Sequence, residues 1–230
     1  GNFVLPNKGA LTDFITIRSA AADSQLPGPG VRITPANASL LPKIRSSNSV
    51  SSLRTAAAAN HYRLMFLEFQ ANAKGYGEII ALGTSDSNQT QLSQVPYAFV
   101  LDRVYVHGDP LLGQKRGISM QSGDTTVINS YLADFKGVGQ DTQAIASYNG
   151  PGPYVIENNY LEAATENLLI GGADPTIPNL VATNVTVRHN YFRKQLAWRD
   201  PIVATPGGVS ARAVAGGSLA AGSYSYKVVA

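Results

Sequence analysis

The sequence predicts an all-β solenoid in which short parallel strands stack coil upon coil. Four segments align without gaps: "LDRVYV" (Leu101–Val106), "VINSYL" (Val127–Leu132), "IENNYL" (Ile156–Leu161) and "VRHNYF" (Val187–Phe192). Their tyrosines, Tyr105, Tyr131, Tyr160 and Tyr191, are separated by 26, 29 and 31 residues. A near-constant period in this range marks stacked supersecondary units. A weaker repeat lies between them: "GISMQSG" (Gly117–Gly123), "AIASYNG" (Ala144–Gly150) and "LLIGGAD" (Leu168–Asp174) each put a short apolar strand before a glycine turn. No segment sustains helical periodicity. A sandwich of antiparallel hairpins would also use short strands. It does not require equivalent residues at equivalent places in every unit, and a solenoid does. Coils of a parallel solenoid stack about 4.8 Å apart, so each aligned column becomes a ladder.

Along the chain, the opening "GNFVLP" reads as a strand already under way, and "FITIRS" (Phe14–Ser19) as the next. "LRTAAAAN", around Ala56, is the one stretch that predicts a helical turn. "LMFLEF" (Leu64–Phe69) fits the tyrosine repeat with Glu68 in the Tyr column. Each later unit reads strand, polar loop, strand, Gly-rich turn, strand. Asn159 and Asn190, with Ser130 in the same column, fall between inward aliphatics. Asparagine tolerates the left-handed backbone of a sharp corner, and its amide reaches the equivalent residue one coil away. The Tyr column alternates with inward residues, so it is expected to face outward as an aromatic stack. Structural stacking is the simpler reading of that column, ahead of a sugar-binding platform.

The 230 residues suffice for one substantial core, and the charged fraction of 14% excludes a disordered or coiled-coil chain. Net charge is +3, and the 18 Lys and Arg form no run of the kind that binds nucleic acid. Cysteine is absent, which rules out disulfides and thiolate metal sites. No apolar run is long enough to span a bilayer, so no membrane insertion is expected. Both ends read as interrupted strands, which predicts a fragment of a larger protein whose export signal lies outside it.

The coils of the form I-x-x-N-x-[LF], the glycine turns and "FITIRS" resemble right-handed, single-stranded parallel β-helix proteins of the pectate-lyase-like superfamily. The run "GPGPYVIENNYLEAATENLLIGGADPTIPNL" (Gly150–Leu180) with "VRHNYF" is similar to secreted β-helix proteins of soil bacteria such as Acidobacteria. The resemblance covers residues 1–200, and it implies a secreted, extracellular protein. After it, residues 201–230 turn rich in Ala, Gly, Ser and Val, and "AGSYSYKVVA" resembles an opening strand of a fibronectin-III-like module. A bare solenoid end or that strand is expected to favour self-association.

The superfamily includes lyases, hydrolases, esterases and non-catalytic adhesion proteins. The resemblance therefore implies a carbohydrate-active protein, with a polysaccharide lyase on uronate polymers preferred. The alternative is a non-catalytic glycan-binding or surface scaffold. Lyases of this kind neutralise a uronate carboxylate with a cation, often Ca²⁺, and use an Arg or Lys as base. On that chemistry Glu166, Asp174, Lys136 and Arg193 are the catalytic candidates. Tyr148, Asn149, Asn167 and His107 are candidates to hold polysaccharide, and Asp141 and Glu162 to hold calcium. Glu162 and Arg193 belong to adjacent coils, so a salt bridge is the simpler reading of that pair. Glu166 and Asp174 flank Gly171-Gly172, whose bare face permits close approach by a ligand.

Overall fold

The computed structural model describes residues 1–199 and, beyond them, 207–208, 210, 212, 216–218, 220 and 222–225. Strands β1 (Phe3–Leu5), β2 (Ile15–Arg18) and β3 (Lys43–Ile44) make a first coil. β4 (Leu53–Thr55), β5 (Asn60–Met65) and β6 (Glu68–Gln70) make the second. β7 (Glu78–Leu82), β8 (Tyr97–Asp102) and β9 (Tyr105–His107) make the third. β10 (Arg116–Met120), β11 (Gly123–Ile128) and β12 (Tyr131–Phe135) follow, then β13 (Gln143–Ser147), β14 (Gly152–Glu157) and β15 (Tyr160–Ala163). β16 (Glu166–Ile170), β17 (Val185–Arg188) and β18 (Tyr191–Arg193) make the sixth coil among the described residues.

Equivalent strands pair in parallel from coil to coil, giving three six-stranded sheets: β1-β4-β7-β10-β13-β16, β2 through β17, and β3 through β18. The protein is thus a parallel β-helix. The register follows the repeat: Leu64, Leu101, Val127, Ile156 and Val187 form one column, and Glu68, Tyr105, Tyr131, Tyr160 and Tyr191 another. Leu64, Leu101, Val127 and Ile156 are fully buried. A one-residue slip would carry that whole set to solvent, at about 1.5–3 kcal/mol per aliphatic, so the pattern holds the register.

The corner between the second and third sheets departs from expectation by one residue. The left-handed positions are Phe66, Arg103, Asn129, Asn158 and His189, each directly before the ladder position. The ladder residues point inward instead, where their amides are used up. Asn159 Oδ1 accepts from Ser130 N at 2.9 Å, and Asn159 Nδ2 donates to Val127 O at 2.8 Å. One coil on, Asn190 Oδ1 accepts from Asn159 N at 2.9 Å and Asn190 Nδ2 donates to Ile156 O at 2.7 Å. Those backbone groups, turned into the core by the corner, would otherwise lack partners.

"LRTAAAAN" forms no helix. Leu53–Thr55 is β4, paired to β1 and β7, and the alanines make a turn with Ala58 left-handed. Pairing with strands on both sides outweighs alanine's weak helical preference. Between β2 and β3 the chain leaves the coil, and Leu26, Ile33 and Leu41 pack on Phe66 and against Met65, Tyr105 and Tyr131. Arg32 anchors this strap at the left-handed corner, its Nε donating to Asn158 O at 2.8 Å.

The chain divides into a compact unit of Gly1–Gln195 and a second of Leu196–Ala230. The strand expected in "AGSYSYKVVA" falls largely outside the described residues.

Candidate functional site

The first sheet carries a groove of about 550 Å³ on its outer face. Arg54, Ala81 and Ser119 occupy one register column across three coils and line it. The small side chains of Ala81 and Ser119 make an open floor, with the Arg54 guanidinium at one end. Arg54 is exposed and makes no hydrogen bond or ion pair among the described residues. A second column begins each strand: Glu78, Arg116, Gln143 and Glu166. Arg116 Nη1 lies 3.7 Å from Glu78 Oε2, and its Nε donates to Gln143 Oε1 at 2.9 Å. Gln143 Nε2 donates in turn to Glu166 Oε2 and to Asp141 Oδ2, both at 2.9 Å. This rung-to-rung chain fixes the charge pattern along one side of the groove.

The opposite wall is the loop from Gly83 to Gln94, held by buried amides. Gly83 is left-handed, and a Cβ there would sit 2.2 Å from Gln121 O, so glycine alone allows the close approach. Gln89 Nε2 donates to Gln121 O at 2.8 Å and to Asn149 O at 3.0 Å. Asn149 is fully buried; its Nδ2 donates to Thr84 O at 2.9 Å and Gln89 O at 3.0 Å, and its Oδ1 accepts from Ile177 N at 3.0 Å. Asn149 therefore positions the wall, and none of its amide is left for a ligand. Ser85 Oγ donates to the Tyr148 hydroxyl at 2.8 Å, placing both side chains on the groove. Asp86 is held ionised chiefly by the backbone N–H of Asn88, which pulls its pKa below the usual carboxylate range.

The third sheet's outer face carries a different constellation. The tyrosine column is a stack: Tyr131 on Tyr160 at 4.1 Å between centroids, Tyr160 on Tyr191 at 5.5 Å, and Tyr105 edge-on to Tyr131 at 5.7 Å. Rings stacked on each other present edges and hydroxyls outward, not faces, so the interior of the column is a structural stack. Glu162 is buried in the next column. It accepts from Tyr160 Oη at 2.6 Å and Gln195 Nε2 at 2.8 Å, and faces Arg193 Nε at 3.4 Å. At the Glu end, Glu68 Oε2 makes no hydrogen bond but has Lys43 Nζ at 3.0 Å, while Glu68 Oε1 lies 3.3 Å from His107 Nε2. Burial opposes ionisation of Glu68, but Gln70, Lys43 and His107 together outweigh it and hold the carboxyl below its ordinary value. Asp134 sits left-handed at a bulge, and burial, with Glu162 nearby, pushes its carboxyl up. Burial first, then Asp134 and Glu68, raises the Tyr105 phenol to about 12.

The sequence candidates are thus distributed over both faces. Tyr148 lines the groove, and Glu166 lies on the same sheet as the last rung of its charged column. His107, Glu162 and Arg193 lie on the third sheet. Asn167 is buried, donating to Leu161 O at 2.8 Å and Arg193 O at 3.0 Å, and so ties the corner between two coils. Lys136 donates to Pro110 O at 2.6 Å on the turn beside it. Asp174 is exposed beyond Gly171, around which nothing lies within 4 Å of a built Cβ. Asp141 and Glu162 stand on different faces, and among the described residues no three His, Cys, Asp or Glu gather to hold a metal.

Arg54, Glu78 and Arg116 are groove residues that the repeat reading passes over. A signal for two of them is present: "EII", "RGI", "QAI" and "ENL" begin four strands with a polar residue two positions before the inward aliphatic.

No protein-family model, curated protein or solved structure matches the chain.

Proposed function

We propose that this β-helix holds an acidic, uronate-containing polysaccharide along the groove of its first sheet. The observation that carries the reading is Arg54: an exposed guanidinium without a partner among the described residues, on the open floor of a polar groove. A guanidinium matches a carboxylate in bidentate geometry, and an unpaired one in a cleft is free to do so. Tyr148 and the serines along the walls supply hydroxyls suited to sugar hydroxyls. The wall that presents them is pinned by Gln89 and Asn149, so little ordering is needed on binding. The location implied is extracellular, where such polymers are met. The resemblance of the coils to pectate-lyase-like proteins supports the same class of ligand. Charge neutralisation falls to Arg54 and Arg116 in this reading, and no step is routed through calcium.

Titration calorimetry with polygalacturonate, alginate and neutral dextran tests the proposal. Binding is expected for the uronate polymers and not for dextran. Arg54→Ala is expected to weaken it by about tenfold to a hundredfold, the worth of one charge-assisted hydrogen bond. Equal affinity for dextran, or an unchanged affinity in the variant, sinks the reading. Ultraviolet absorbance of the same mixtures separates a lyase, which leaves unsaturated ends, from a binding scaffold.

A further inference from the structure

The corner between the third and first sheets carries side chains that neither the fold nor the groove uses. Leu111 is 90% exposed, Leu112 78%, Val138 105% and Tyr76 59%. They come from the turns of successive coils, which are bound to one another. Lys115 N donates to Gly75 O at 2.9 Å, and Gln114 Nε2 donates to Tyr76 O at 2.9 Å and Gly77 O at 2.8 Å. A Cβ on Gly113 would lie 2.1 Å from Lys136 O, so these two turns touch backbone to backbone. The 109–113 turn is closed on itself. Asp109 Oδ1 accepts from Leu111 N at 2.8 Å and Leu112 N at 2.9 Å, and Gly113 N donates to Asp109 O at 2.7 Å.

Backbone bonds and Asp109 thus hold the turn, and its two leucines contribute nothing to its shape. Apolar residues gathered on one rigid corner, where any polar residue would serve folding as well, mark a surface that meets something apolar. Lys74 and Arg45 are exposed on the same run of turns and Lys115 is half-exposed; of the two acids there, Asp109 is occupied by backbone amides and the exposed Asp141 accepts from Gln143 Nε2 at 2.9 Å, so the cations outnumber the acids. The surroundings are therefore cationic. A second copy of the chain docking corner to corner would set these cations against one another. A layer that is apolar inside and anionic at its surface suits both features, since leucines enter the acyl boundary while lysines meet the headgroups.

We infer that the corner formed by Tyr76, Leu111, Leu112 and Val138 docks the solenoid on an anionic lipid surface. The contact is peripheral: the turns enter the interface and no strand crosses the bilayer. It is independent of the groove reading, because it uses none of the groove's residues.

Co-sedimentation of the full chain with vesicles of phosphatidylcholine and phosphatidylglycerol in equal parts tests it, with pure phosphatidylcholine vesicles alongside. Binding to the mixed vesicles, weaker binding to the neutral ones and release by salt are expected. Leu111→Ser with Leu112→Ser is expected to lower the partition about tenfold per leucine. Lys74→Ala with Lys115→Ala is expected to remove the preference for the anionic vesicles. All four sites are on the surface, and unchanged circular dichroism checks folding. Absence of sedimentation with mixed vesicles, or a leucine variant that partitions like the parent, overturns the proposal. So does a concentration-dependent dimer that the leucine variant abolishes, which would assign the corner to a protein contact.

Discussion

Replacing Asn149 by alanine isolates the wall of the groove from its ligand chemistry. The side chain makes three hydrogen bonds to backbone: to Thr84 O, to Gln89 O and from Ile177 N. Gln89 O keeps a second partner, the Thr176 hydroxyl at 2.8 Å, so its loss is small. Ile177 is buried, and its N–H would be left bare at about 1–3 kcal/mol. Thr84 is half-buried, and water reaching its carbonyl would limit that cost to about 1 kcal/mol. The sum, about 2–4 kcal/mol, is a large part of an ordinary domain's stability. Urea unfolding followed by circular dichroism, without any glycan present, reads it directly. Amide exchange is expected to speed up in the 84–91 loop and to stay unchanged along the Asn159 ladder. A urea midpoint equal to the parent's would refute the reasoning, and would return Asn149 to the residues free to contact polysaccharide.

Three further outcomes follow from the buried amides and acids. Asn159→Ala leaves Ser130 N and Val127 O without their ladder partner, and a loss of about 3 kcal/mol is expected in the same urea assay. Tyr160→Phe, which removes only the hydroxyl on Glu162, is expected to cost clearly less. Asp134→Asn is expected to raise the midpoint at neutral pH, because burial and Glu162 disfavour the charged form. The sign follows from linkage: a carboxyl whose folded pKa is raised stabilises fully below its unfolded value and loses that contribution as pH rises through the folded one. Asparagine also keeps the left-handed backbone at this bulge. A gain that persisted unchanged in acid would show that charge is not its cause.

The fold was legible because the two columns that define it are repeated in sequence. Tyr105, Tyr131, Tyr160 and Tyr191 recur with their inward aliphatics, and parallel pairing places each on its equivalent one coil away. The candidate site was only partly legible. Its charged column, Glu78, Arg116, Gln143 and Glu166, is spaced 38, 27 and 23 residues apart, because the intervening turns differ in length. Variable turns hide a column that the sheet makes regular. Glu162 and Arg193 were readable as neighbours because they sit at one offset from the tyrosines, and they pair at 3.4 Å.

The sequence by itself determined the coil: which residues turn inward, which stack outward, and how far apart the rungs fall. Hydrophobic alternation has a period of two, so it carries that information locally. Which polar side chains are spent and which are free was decided only by the tertiary structure. Asn149 and Arg54 are both polar residues beside a turn or strand end, alike in sequence. Folding surrounds the first with backbone groups of the 84–89 and 177 segments and leaves the second facing an open groove. The partners that make this difference lie tens of residues away in the chain, and only closure of successive coils brings them within hydrogen-bonding distance.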